Sequence, residues 1–142
     1  MPEGPRSLDG VTNFLGLRWE EPGIVRLTVR PDLINAGGLL AGVVAYALVD
    51  YSMGSALWVH TSDEEAIATL SISITYLRTA TEGEIVCRSD LDRRTRSNAA
   101  LRSEVSDEQG GCWPRRPGPT RSSRAATGPA ERRPRAAAAS AA

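Results

Sequence analysis

Apolar and polar positions alternate along residues 24–30, where Val25, Leu27 and Val29 interleave with Arg26, Thr28 and Arg30. A period of two is the pattern of a strand with one buried face, so this stretch predicts a β-strand. Residues 15–21 read as a preceding strand, joined to it by the turn residues Glu21, Pro22 and Gly23. The sharpest alternation lies in residues 68–77, where Leu70, Ile72, Ile74 and Tyr76 interleave with Thr69, Ser71, Ser73 and Thr75. Two further strands are expected over 84–92 and 98–107, joined at the Arg-rich turn 93–97.

Between these strands the pattern changes. Residues 39–57 are apolar around nearly a full helical circumference, with Asp50 as the only charge. Val43, Val44 and Val49 leave a strand conceivable, but the length selects a helix. Such a helix is buried on all sides, so a sheet wraps it, an oligomer interface covers it, or both. The order of elements predicts an α+β fold, one long helix against an antiparallel sheet whose later strands form a meander.

A chain of 142 residues holds one core. No apolar run reaches the roughly 20 residues of a membrane-spanning helix, and the N-terminus lacks a secretory pattern, which leads us to expect a soluble, cytoplasmic protein. Cys87 and Cys112 allow one pair and suggest neither a metal site nor a disulfide scaffold. The formal charge of zero hides an asymmetry. Residues 1–109 hold 10 Arg against 16 acids, a balance of −6, and residues 110–142 hold 7 Arg against 1, a balance of +6.

That tail carries no Leu, Ile, Val, Phe or Met. It cannot bury enough surface to offset the entropy of ordering, so a folded domain over 1–109 and a disordered tail over 110–142 are expected, with the last strand of the sheet missing. A basic tail can meet nucleic acid or an acidic membrane. All 17 basic residues are Arg, however, which points to a coding sequence rich in G and C. Neither nucleic acid nor membrane is expected as a partner. The codons for 111–120 can be written as GGG TGC TGG CCA CGG CGG CCG GGA CCT ACG. Entered two bases later, they encode Val-Leu-Ala-Thr-Ala-Ala-Gly-Thr-Tyr, a strand-like run following the turn residues of 107–110. Two readings of the tail stay open, a frameshift and a genuinely disordered extension.

The residues from Asn35 through Gly37, Gly38, Ala41, Gly42 and Val43 to Leu48, Val49 and Asp50 carry a more specific pattern. In order and spacing, Asn35, Gly42 and Asp50 resemble the signature of the phenylacetate-type hotdog acyl-CoA thioesterases. The flanking FLGLRWEEPGIVRLTVRPDLIN and ITYLRTATEGE are similar to that family's first two strands and its third, and about three-quarters of the chain takes part. The resemblance implies a hotdog fold, an antiparallel sheet around one central helix, and hydrolysis of an acyl-CoA thioester. No separate cofactor or metal is implied, since CoA is part of the substrate. It also implies homodimers or tetramers, each site being built between two subunits.

By the same resemblance the Gly42 N–H polarises the thioester carbonyl, Asp50 acts as general base or nucleophile, Asn35 positions the water or the helix start, and Thr69 assists the acid. The carboxylate is expected beside the exposed amides of the helix start, close enough to act on one acyl carbon. Arg93, Arg94 and Arg96 are candidates to clamp the phosphates of CoA. Ordinary roles stand beside these. A buried Asp50 needs a partner even as a structural residue, Asn35 can make a turn or a cap, a Thr in a strand is commonplace, and an Arg-rich hairpin tip is usually solvated. His60, in an acidic loop, reads as a surface residue. Two departures matter: Ala41 stands where the family has His, and Val43 where it has a second Gly. They favour a binding-only, non-catalytic subunit as the alternative to an enzyme.

Overall fold

A computed structural model describes residues 9–108 and the backbone of a strand at 123–129. The first element among the described residues is a short helix, α1 (Gly10–Leu15), which lies ahead of the strand expected over 15–21 and overlaps it only at Leu15. Its determinants are local. Asp9 caps it, accepting from the Thr12 N–H at 2.8 Å, the Thr12 hydroxyl completes a capping box, and Gly16 ends it in the left-handed conformation. Strands β1 (Arg18–Glu21) and β2 (Ile24–Thr28) follow as an antiparallel hairpin. Its turn requires Gly23, which sits at φ +81° where an added Cβ would lie 2.6 Å from the Ser89 carbonyl oxygen.

After a 3₁₀ turn (Pro31–Leu33) comes the central helix α2 (Gly42–Trp58), beginning three residues later than the apolar run suggested. Strands β3 (Glu65–Ser71), β4 (Glu84–Arg94) and β5 (Asn98–Asp107) follow, and all pairings in the sheet are antiparallel. The strand order is β1-β2-β4-β5-β6-β3, with β6 (Ser123–Pro129) between β5 and β3.

The expected absence of the last strand is therefore corrected. Ala125 pairs with Ala99 on one side and with Thr69 on the other. Composition registers side-chain burial alone, whereas strand pairing is a main-chain interaction, and the six residues preceding Pro129 contain no proline to remove a donor. The expected disorder of the remainder of the tail, and the alternative frame over 111–120, concern residues outside those described. β3 also ends earlier than the alternation did. β6 pairs with it only as far as Ser71, and among the described residues nothing continues that ladder beside 72–80.

One face of the sheet packs on α2. Val25, Leu27 and Val29 from β2 and its end, Ile85 and Cys87 from β4, and Ala99 and Leu101 from β5 meet Val44, Leu48, Val49, Met53, Ala56 and Leu57 of the helix. Each large side chain removed from water contributes about 1.5–3 kcal/mol. Within this core runs a line of hydroxyls. Ser89 and Ser103 face each other across β4 and β5, and Ser89 donates to Ser52 Oγ at 2.8 Å. Ser52 in turn donates to the Gly23 carbonyl at 2.9 Å, so the proton between Ser89 and Ser103 belongs to Ser103.

The helix is not buried all round. Val43 is 73% exposed and Tyr46, nearly one turn on, is open as well, and Leu70, Tyr76 and Leu77 of β3 and the segment after it are also exposed. Among the described residues the sheet covers one side of α2, which leaves the other apolar side for a different surface.

Candidate functional site

The loop before α2 is set by Asn35. Its Oδ1 accepts from the Gly37 N–H at 2.8 Å and the Leu39 N–H at 3.3 Å, while Leu39 O accepts from the Asn35 N–H. Ile34 bridges Leu40, and Ala41 N–H donates to Leu33 O. Asn35 is thus the turn-maker of this loop and shapes the helix start from a distance; the N-cap position belongs to Ala41, which offers no side-chain acceptor.

The first helical amides are consequently left over. Val44 and Ala45 donate to the Ala41 carbonyl, at 2.9 and 3.5 Å, but among the described residues neither the Gly42 nor the Val43 N–H meets an acceptor. Unsatisfied N–H groups with the positive end of the helix dipole behind them form a place where negative charge on an oxygen is stabilised. Gly42 keeps the approach to them open. The nearest neighbour to its missing side chain is Tyr76, whose ring and hydroxyl lie 3.6 Å from where a Cβ would stand, and whose hydroxyl donates to the Gly42 carbonyl at 2.9 Å. Burial pushes the Tyr76 hydroxyl above its ordinary pKa, with Tyr46 nearby adding to the effect, so it stays a donor through the neutral range. Sequence reasoning missed Tyr76, since its only mark was an apolar position in an alternating strand.

Asp50 lies two turns further along α2, half-buried, with Thr69 of β3 donating to its Oδ1 at 2.6 Å. Among the described residues nothing donates to its other oxygen, which leaves that oxygen free as a proton acceptor. The Asp50–Thr69 pair expected from the sequence is therefore brought together. The pairing of Asp50 with the helix-start amides of its own chain is not. Eight residues separate Gly42 from Asp50, and at a rise of 1.5 Å per residue they stand about 12 Å apart along the helix axis. One acyl carbon cannot touch both on one chain, and the expectation of a side-by-side arrangement is corrected on that ground.

The arginines at the β4–β5 hairpin divide. Arg94 Nη2 lies 2.8 Å from both oxygens of Glu65, whose carboxyl is held below its ordinary range first by the Ser62 N–H and then by Arg94. Arg94 thus fastens the hairpin to β3. Arg93 and Arg96 are exposed, as is His60 beyond the end of α2. Cys87 is fully buried, and burial raises its thiol pKa; Cys112 lies outside the described residues.

The family model of the thioesterase superfamily matches residues 37–113, more than half of the chain, and takes in the helix start, Asp50 and Thr69. The chain belongs to the thioesterase superfamily. Its fold is the hotdog fold of solved relatives. A phenylacetic acid degradation-related protein from Ralstonia eutropha superposes with a TM-score of 0.66 at 22% identity, over 89% of this chain and 92% of that one. A mutant of the phenylacetic acid degradation protein PaaI from Thermus thermophilus gives 0.64 at 25% identity, over 84% and 96%. A Bacillus halodurans protein solved with CoA gives 0.70 at 16% identity, over 86% and 76%. No curated protein matches the chain. For this superfamily member, no helix of the described residues is long and apolar enough to cross a membrane.

Proposed function

We propose that this thioesterase-superfamily chain hydrolyses an acyl-CoA thioester. Water adds to the thioester carbonyl as the Asp50 carboxylate takes its proton, and the tetrahedral oxyanion forms against the open amides of Gly42 and Val43. Collapse expels the CoA thiolate, which leaves as the thiol once protonated, and releases the carboxylic acid. Direct attack by Asp50 on the carbonyl is the other route open to the same carboxylate. The observation that carries the reading is the pair of unsatisfied amides at the start of α2, with a half-free carboxylate on the same open helix side.

Because about 12 Å separates these groups on one helix, the reading requires two copies, with Gly42 of one facing Asp50 of the other. The uncovered apolar side of α2, carrying Val43 and Tyr46, is the surface for that pairing, and a twofold arrangement gives two equivalent sites. Arg93 and Arg96, at the exposed hairpin tip, are the candidates for the phosphates of CoA.

A panel of acyl-CoAs, followed by release of the free thiol, tests the reading with the wild type and Asp50→Asn side by side. Unchanged turnover in Asp50→Asn removes the carboxylate from the mechanism. The second reading, an acyl-CoA or aromatic-ligand binding subunit without hydrolysis, draws on Ala41 at the position of the family's His. Saturable binding with no thiol release from any acyl-CoA selects it.

A further inference from the structure

We infer that Tyr76 is a positioning residue for the oxyanion-binding amide of Val43, acting through the carbonyl of Gly42. The inference rests on the thioesterase reading above. The Gly42 carbonyl and the Val43 N–H are the two ends of one peptide unit, planar and trans. The Tyr76 hydroxyl holds the carbonyl end at 2.9 Å, while the N–H end meets no acceptor among the described residues. Two effects follow. The peptide plane, already held by the helix through the i+4 bond to the same carbonyl, gains a second hold from outside it, and withdrawal of electron density at the oxygen makes the N–H a stronger donor. Such coupling strengthens a hydrogen bond by roughly 10–30%.

The hydroxyl is well placed to do this. The segment bearing Tyr76 is held against the helix start by the Leu40 N–H donating to Ala80 O at 3.0 Å, and by Ile72 and Ile74 packed on the core. The tyrosine ring stands 3.6 Å from where a Cβ on Gly42 would lie, beside the helix start, so the ring sets the position and the oxygen sets the polarity. The neighbouring Ala41 has only a methyl group and cannot bond to the amides or carbonyls around it. Tyr76 is the side chain that organises this peptide.

Tyr76→Phe removes one oxygen and keeps the ring. In the full chain turning over its best acyl-CoA, the substitution should lower kcat about 5- to 10-fold with KM within about twofold, the signature of an interaction that strengthens in the transition state. In the ligand-free protein the Gly42 carbonyl ¹³C and Val43 amide ¹⁵N resonances should shift, while those of the core, Leu48 and Leu101, stay in place. A folded Tyr76→Phe protein with wild-type kcat overturns the inference alone. So does a loss confined to KM, or unmoved Gly42 and Val43 resonances. A wild-type protein that releases thiol from no acyl-CoA overturns the thioesterase reading, and this inference with it.

Discussion

Thr69 donates its hydroxyl proton to Oδ1 of Asp50 at 2.6 Å, tying the middle of α2 to β3 and leaving the second carboxylate oxygen unengaged among the described residues. The bond orients the carboxylate and makes its two oxygens different. Thr69→Val keeps the shape and removes the donor, and kcat should fall about tenfold, the scale of a partial loss of a hydrogen bond to a charged group. Thr69→Ser should recover most of it. Steady-state kinetics on the three proteins checks both outcomes.

Gly42→Pro deletes one amide with little disturbance. Proline suits the first position of a helix, and Ala41 before it already has φ −60° and ψ 130°, the extended conformation a following proline demands. The added Cβ would meet Tyr76 at 3.6 Å, an ordinary contact. Thermal stability should stay at or slightly above that of the wild type, while kcat falls by about 10²-fold or more if this N–H holds the oxyanion. Differential scanning calorimetry and turnover, measured together, separate the two effects.

The hydroxyl line from Ser103 through Ser89 and Ser52 to the Gly23 carbonyl joins the sheet, the helix and the β1–β2 turn. Ser52 is fully buried, so Ser52→Ala leaves Ser89 without its acceptor and removes a donor from Gly23 O. The expected cost is about 1–3 kcal/mol, read as a lower urea midpoint with an unchanged slope.

The docking of α1 should depend on pH at both extremes. The Thr12 N–H, followed by the Tyr51 hydroxyl at 2.8 Å, holds the Asp9 carboxyl below its ordinary value of 3.8. A carboxyl lowered in the folded state stabilises it above that value, and the contribution disappears as pH falls through the folded pKa. Tyr51 is pushed up to about 12, chiefly by burial and then by Asp9. A tyrosine raised in the folded state contributes fully below its ordinary value of 10.0 and loses that contribution as pH rises toward 12. Trp19 packs edge-on to Tyr51 at 6.2 Å, and its fluorescence across an acid and an alkaline titration should report both losses. In Asp9→Ala the acid change should be smaller.

The sequence disclosed its strands through periodicity and its helix through length. β5 was legible to its ends and β2 to within two residues, where Val25 and Leu27 recur at strand spacing, and α2 to within three, because its apolar run is too long for a strand. α1 escaped because six residues are too few to show a period, and its signals were the capping pair Asp9 and Thr12 and the left-handed Gly16. β6 escaped because main-chain pairing leaves little trace in composition. Asp50 and Thr69, singled out by family resemblance, do meet, whereas Tyr76 meets Gly42 across 34 residues, by a chain path that no local pattern encodes. The offset of about 12 Å between Gly42 and Asp50 was implicit in their spacing once that stretch was taken as one continuous helix.

The most direct test of the account mixes two defective proteins. Asp50→Asn and Gly42→Pro, each nearly inactive alone, are combined, dissociated and allowed to re-pair, and thiol release from an acyl-CoA is followed. In a twofold dimer each mixed pair holds one site with an intact Gly42 facing an intact Asp50, so activity should return to about a quarter of the wild-type level. Activity that stays at the level of the separate variants after re-pairing would contradict a site shared between two copies of this chain.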